Sequence, residues 1–119
     1  MCRSERIMEI RSREKGSAVV LDVSGRLTAG AGAEQLRGTI AQLAEEGKNK
    51  VLLNLEELAF MDSTGLGSLA ASSELLRRAG GHLGVVNARG PVKNVFQITR
   101  LNKVFPDFED EDAALASFQ

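Results

Sequence analysis

Tryptophan and tyrosine are absent from this chain, and its five phenylalanines make up the 4% aromatic content of 119 residues. The usual stacking platforms for single-stranded nucleic acid are therefore missing, and aliphatic side chains must fill the interior. The single cysteine, Cys2, permits no internal disulfide and no cysteine metal site. A formal charge of -1, from 15 Lys and Arg against 16 Asp and Glu, supplies no general field for nucleic acid or membrane. No apolar run reaches the about 20 residues of a membrane-spanning helix. The start at Met1-Cys2-Arg3 carries no apolar segment, so neither a signal peptide nor a lipoprotein anchor is expected. These absences predict a cytoplasmic protein with no nucleic-acid partner, no membrane insertion and no cofactor of its own.

What is present suits one globular domain over residues 1–119, with residues 1–6 as a frayed amino end. Arg3, Arg6, Arg11, Arg13 and Lys15 make the amino end mildly basic, and Asp107, Glu109, Asp110, Glu111 and Asp112 make the carboxyl end acidic. Both runs read as solvated surface.

In chain order, Ile7 to Arg13 alternates as a half-exposed edge strand, and Ala18 to Val23 is a β-branched run that pairs with it in a hairpin. Ala33, Leu36, Ile40, Leu43 and Ala44 line one face of a helix that Gly47 ends. Val51 to Leu55 reads as a strand buried on both faces. A helix follows as far as Ala79, and His82 to Val86 makes the next strand. Gly90-Pro91 opens a further helix, with Val92, Val95, Phe96 and Thr99 inward. Val104-Phe105 is a short last strand before Pro106, and the acidic residues 109–112 lead into a final helix over 113–118. This order predicts an α/β fold, a mixed four- to five-stranded sheet packed with about four helices.

The stretch Phe60-Met61-Asp62-Ser63-Thr64-Gly65-Leu66-Gly67 lies between the buried strand and the long helix. Asp62 or Ser63 caps that helix, and either choice puts Ser63 at the positive end of its dipole. Gly65 and Gly67 fall in the first turns, where each glycine costs about 1 kcal/mol relative to alanine. Close approach by a neighbouring strand or by a second protein would account for them. Leu66, Leu69, Ala70, Ser73 and Leu76 form the inward stripe. A step of about 100° per residue then turns Thr64, Gly67, Ala71, Leu75 and Arg78 outward.

The run from Leu53 to Gly67, with Val23-Ser24-Gly25-Arg26-Leu27 before it and Gly80-Gly81 after it, resembles the signature of STAS domains, the anti-sigma factor antagonists of bacteria. The resemblance extends from about Ser17 to Phe118. It implies the same α/β order of elements and a non-enzymatic protein. The serine after the motif aspartate, here Ser63, would receive phosphate from an anti-sigma factor that is itself a serine kinase, and a PP2C-type phosphatase would remove it. The partner-binding surface expected is Asp62, Ser63, Thr64, Gly65, Gly67, Ala71 and Leu75. Thr28 stands where many kinase-dependent relatives carry an acid. The alternative is therefore a docking module whose serine is never modified, such as a scaffold component or a transporter accessory subunit.

Other chemistry at the motif fares worse. A nucleophile elbow needs Gly-x-Ser-x-Gly, and Met61 stands in place of its first glycine. His82, the only histidine, falls beyond the far end of the helix, on the order of 20 Å from Ser63. A receiver-type role for Asp62 lacks further acids to hold a metal, since Asp22 has no acidic neighbour in sequence. Glu56 and Glu57 have no His or Cys beside them to make a metal pair.

Overall fold

The computed structural model describes residues 8–27, 31–90, 92–94, 107–108 and 111–117. A charged, half-exposed strand and a β-branched apolar run build its first layer. Strand β1 (Met8–Lys15) pairs antiparallel with β2 (Ala18–Leu27) through a tight turn at Gly16. β1 is an edge strand, and its Glu9, Arg11, Arg13 and Lys15 are the kind of charges that discourage pairing with another chain. Helix α1 (Ala31–Glu45) then crosses over, so β3 (Lys50–Asn54) lies parallel to β2. Helix α2 (Ser63–Arg78) makes the next crossover and delivers β5 (His82–Val86) parallel to β3. Crossovers of this kind force parallel pairing, because the chain must return to the same end of the sheet.

One strand was not expected. Leu58 to Met61 forms β4 (Leu58–Met61), which pairs parallel with the far end of β2, beyond the reach of β3. The sequence pattern places no strand between β3 and the helix. β4 is four residues long, and its partner lies some thirty positions upstream, so no local pattern announces it. The main path runs β1-β2-β3-β5-β6, and β4 on β2 makes six strands. The expected strand at Val104-Phe105 lies outside the described residues, and the described short strand is β6 (Asp107–Phe108), after Pro106. Helix α3 is described at residues 90 and 92–94, with Val92 buried; the inward positions expected at Val95, Phe96 and Thr99 lie outside the described residues. Helix α4 (Glu111–Ser117) begins inside the acidic run, so Glu111 and Asp112 occupy its first turn, where the dipole favours acids.

Strand alternation divides the core. Val19, Leu21, Val23, Val51, Leu53 and Val85 face α1 and α2, where they meet Leu36, Ile40, Leu66, Leu69 and Leu76. Val20, Leu52 and Val86 face the other way, against Ala114 of α4. β3 is thus buried on both faces, as its unbroken apolar run requires. Beyond α4 the second face turns polar. Arg13 donates twice to Asp22, at 2.6 and 2.8 Å. Asn54 Nδ2 donates to Asp22 at 2.9 Å, and Asn87 Nδ2 donates to Asn54 Oδ1 at 3.1 Å. This ladder ties the carboxyl ends of β3 and β5 to the hairpin. α2 begins at the same edge of the sheet.

Candidate functional site

The site grows from the junction of β4 and α2. Met61 pairs with Leu27, and the Asp62 N–H donates to the Leu27 carbonyl at 3.3 Å, so β2 holds the chain until the helix begins. Asp62 is extended (φ -100°, ψ -176°), and its carboxylate accepts from the Gly65 N–H at 2.7 Å. Asp62 is therefore the cap, and Ser63 is the first residue of the helix. The Asp62 side chain turns back to satisfy a free backbone donor. Ser63 and Thr64 are exposed, and among the described residues the Ser63 hydroxyl has no hydrogen-bond partner. The site thus offers an accessible hydroxyl at the end of a helix whose dipole and N–H groups tolerate an anion.

The two glycines separate. Gly65 is buried, and a methyl group there would collide with the Leu27 carbonyl and lie 2.9 Å from Leu27 Cγ. Its glycine serves the approach of α2 to β2, the first of the two reasons the sequence offers for a glycine here. At Gly67 a methyl group would meet nothing within 4 Å, and Gly67 is exposed. Nothing in the fold requires a glycine there.

Thr64, Gly67, Ala71, Leu75 and Arg78 are all exposed, as the helical step requires. The inward stripe is broader than expected. It contains Ser68 and Ser72 as well as Leu66, Leu69 and Leu76, while Ala70 and Ser73 are half-buried. The reason is α1, which packs beside α2. Ser68 Oγ donates to the Ala33 carbonyl across the contact at 3.1 Å, and Ser72 Oγ is buried without a hydrogen-bond partner among the described residues. Small residues continue to the surface between the helices. Gly38 and Ala41 of α1 and Ala71 and Leu75 of α2 line a groove of about 410 Å³.

Sequence reasoning assigns no role to two residues, Phe60 of the motif and Arg26 of the upstream segment. Phe60 is 37% exposed on β4, and the Arg26 guanidinium lies over its ring, 5.2 Å from the centroid. An aromatic residue in an apolar motif reads as core; the one usable signal was the strand alternation that points Met61 inward and its neighbour outward.

The remaining candidates lie apart from the motif. His82 is exposed at the start of β5, beside Lys50, at the amino edge of the sheet. Ser63 follows the opposite edge, with the 16 residues of α2 between, about 24 Å of helix. Glu56 and Glu57 are exposed in the loop from β3 to β4, and Asp22 is held by Arg13 and Asn54. Among the described residues no group of three or more His, Cys, Asp or Glu side chains is placed to hold a metal ion.

Comparison with known proteins places these features in context. Residues 9–114 match the STAS domain family. The anti-sigma F factor antagonist of Lysinibacillus sphaericus is 31% identical over 107 residues, which are 89% of this chain and 88% of that protein. The crystal structure of an anti-sigma factor antagonist from Mycobacterium paratuberculosis superposes with a TM-score of 0.78 at 29% identity, covering 93% of each chain. The Bacillus cell fate determinant SpoIIAA in its phosphorylated form gives a TM-score of 0.71 at 25% identity, covering 93% of this chain and 100% of that one.

Proposed function

The chain belongs to the STAS domain family, and we propose that it is an anti-sigma factor antagonist that works by docking and is switched by phosphorylation of Ser63. In its unmodified form it binds an anti-sigma factor that is a serine kinase and so frees a sigma factor. The kinase supplies ATP and magnesium, and this chain contributes no catalysis. A PP2C-type phosphatase resets it, and all of these steps are cytoplasmic.

The observation that carries the reading is the exposed Ser63 hydroxyl at the first position of α2, without a hydrogen-bond partner among the described residues, beside the outward stripe of Thr64, Gly67, Ala71 and Leu75. The fold accepts a phosphate there. It adds about -1.5 to -2 charges at neutral pH, and the helix end favours such a charge by about 0.3–1 kcal/mol. A docked partner meets the same group differently. The phosphate occupies space, must be desolvated, and adds to the charge of Asp62. Burying a charge without a pairing cation costs several kcal/mol, enough to lower affinity by orders of magnitude.

Intact mass after co-expression with an anti-sigma factor kinase should show one added phosphate, lost in Ser63→Ala. By calorimetry Ser63→Ala should bind that kinase and Ser63→Asp should not, both with wild-type melting curves. Unchanged affinity for Ser63→Asp, with no phosphate on the wild type, would leave the unmodified docking module as the reading.

A further inference from the structure

The Arg26–Phe60 pair is built by a specific backbone device. The register of β2 against β4 shifts between Gly25 and Arg26: Gly25 pairs with Leu58, but Arg26 pairs with Phe60. Gly25 has φ +96°, a conformation other residues rarely adopt, and its N–H reaches the Glu57 carbonyl at 3.4 Å. Irregularities of this type bend a strand and re-aim a side chain. Here the result is a guanidinium lying over an exposed phenyl ring.

Two things about the pair point outward. Phe60 and Leu75 are the exposed large hydrophobic side chains among the described residues. Arg26 has the ring and no carboxylate partner among those residues. A guanidinium held over a ring face keeps its planar N–H groups available to take a carboxylate through two parallel bonds. Arg and aromatic side chains are also those that dominate protein interfaces. Phe60 is three residues before Ser63, so at most about 11 Å separates their Cα atoms.

We propose that Arg26, held on Phe60, is the specificity-determining contact of the docking surface, and that it pairs with a surface carboxylate of the protein partner beside an apolar side chain that covers Phe60. This inference rests on the proposed function, because it takes the surface around Ser63 as the docking surface. The two Glu residues before β4 and the capping Asp62 leave Arg26 as the local feature that selects an acidic partner residue.

The test uses the full chain and the purified anti-sigma factor kinase, with calorimetry at two salt concentrations. Arg26→Glu should weaken binding at least tenfold, Arg26→Lys and Phe60→Leu should weaken it less, and the wild-type affinity should fall with salt. Among Asp→Arg and Glu→Arg variants of the kinase surface, one should lose binding to the wild type and regain it with Arg26→Glu. Melting curves should stay at the wild-type midpoint, and if Arg26→Glu shifts it, Arg26→Gln carries the measurement. Wild-type affinity in Arg26→Glu overturns the inference, as does a loss that no reversed partner charge restores. A variant that binds normally but is no longer released on phosphorylation would assign Arg26 to the phosphate and likewise overturn it. Failure of the wild type itself to bind the kinase would overturn the proposed function and this inference together.

Discussion

On the inward side of α2, Gly65, Leu66, Ser68, Leu69, Ser72 and Leu76 are buried against β2, the sheet core and α1. On the outward side Ser63, Thr64, Gly67, Ala71 and Leu75 face solvent. The same residue type appears on both sides for different reasons. Gly65 is small because the Leu27 backbone occupies the space a methyl group would need; Gly67 has open space around it. A glycine inside a helix costs about 1 kcal/mol relative to alanine. On the inward side close helix–strand packing offsets that cost. On the outward side no contact within the described fold does, which is what the proposed docking of a partner against the helix backbone would account for. Gly38 of α1 shares this property, since a methyl group there also meets nothing within 4 Å, and it lines the groove between the helices.

The comparison breaks most sharply at the glycines themselves. Gly65→Ala should be the most damaging change, because α2 must move off β2. A loss of about 3 kcal/mol or outright misfolding is expected, read from urea denaturation. Gly67→Ala should instead raise stability by about 0.5–1 kcal/mol through helix propensity alone. Gly67→Arg, for the same reason, should not lower the midpoint, while abolishing binding to the anti-sigma factor. Should Gly67→Arg unfold the protein, or Gly65→Ala leave it intact, the division of α2 into a packing side and a docking side is wrong.

A smaller effect is expected at the cap. Asp62→Ala removes the bond to the Gly65 N–H and should cost about 1 kcal/mol of stability. A loss of partner affinity well beyond that figure would add a direct contact to the capping role, and equal losses would leave the cap alone.

The smallest effect lies in the polar ladder. Hydrogen bonds from Arg13 and then from Asn54 hold the Asp22 carboxyl below its usual value, against the opposing effect of burial. Because the folded value is depressed, the stabilisation is complete above the unfolded value of about 3.9. It fades as pH falls further and is gone below the folded value. Arg13 and Asp22 are both about a third exposed, so solvent screens the pair and the effect is modest. Asp22→Asn should therefore flatten the decline of stability below about pH 4, measured by thermal melts across an acid series. An unchanged acid limb would leave the ladder with no part in acid stability.

Much of this was legible because its cause is local. The apolar run at Val51 to Leu55, the helical spacing of Leu36 and Ile40, the glycine after α1, and the strand–turn–helix setting of Ser63 all depend on neighbours within a few residues. The 3.6-residue step alone placed Thr64, Gly67, Ala71 and Leu75 on the exposed side of α2. The acids ahead of α4 were likewise visible as partners of a helix dipole.

What the tertiary structure decided concerns contacts made across long stretches of chain. β4 exists because residues 58–61 find the end of β2, a pairing with no short-range signature. Which of Gly65 and Gly67 is required by packing depends on where Leu27 lies, and sequence spacing carries no record of that. Ser68 and Ser72 are inward because α1 lies beside α2, which shifts the buried stripe away from the one drawn by apolarity. Phe60 is exposed, against the habit of its residue type, and the shift at Gly25 brings Arg26 over its ring. Periodicity and capping follow from backbone geometry and can be read along the chain. The choice of which surface remains open to a partner follows from three-dimensional packing, and only the folded arrangement makes it.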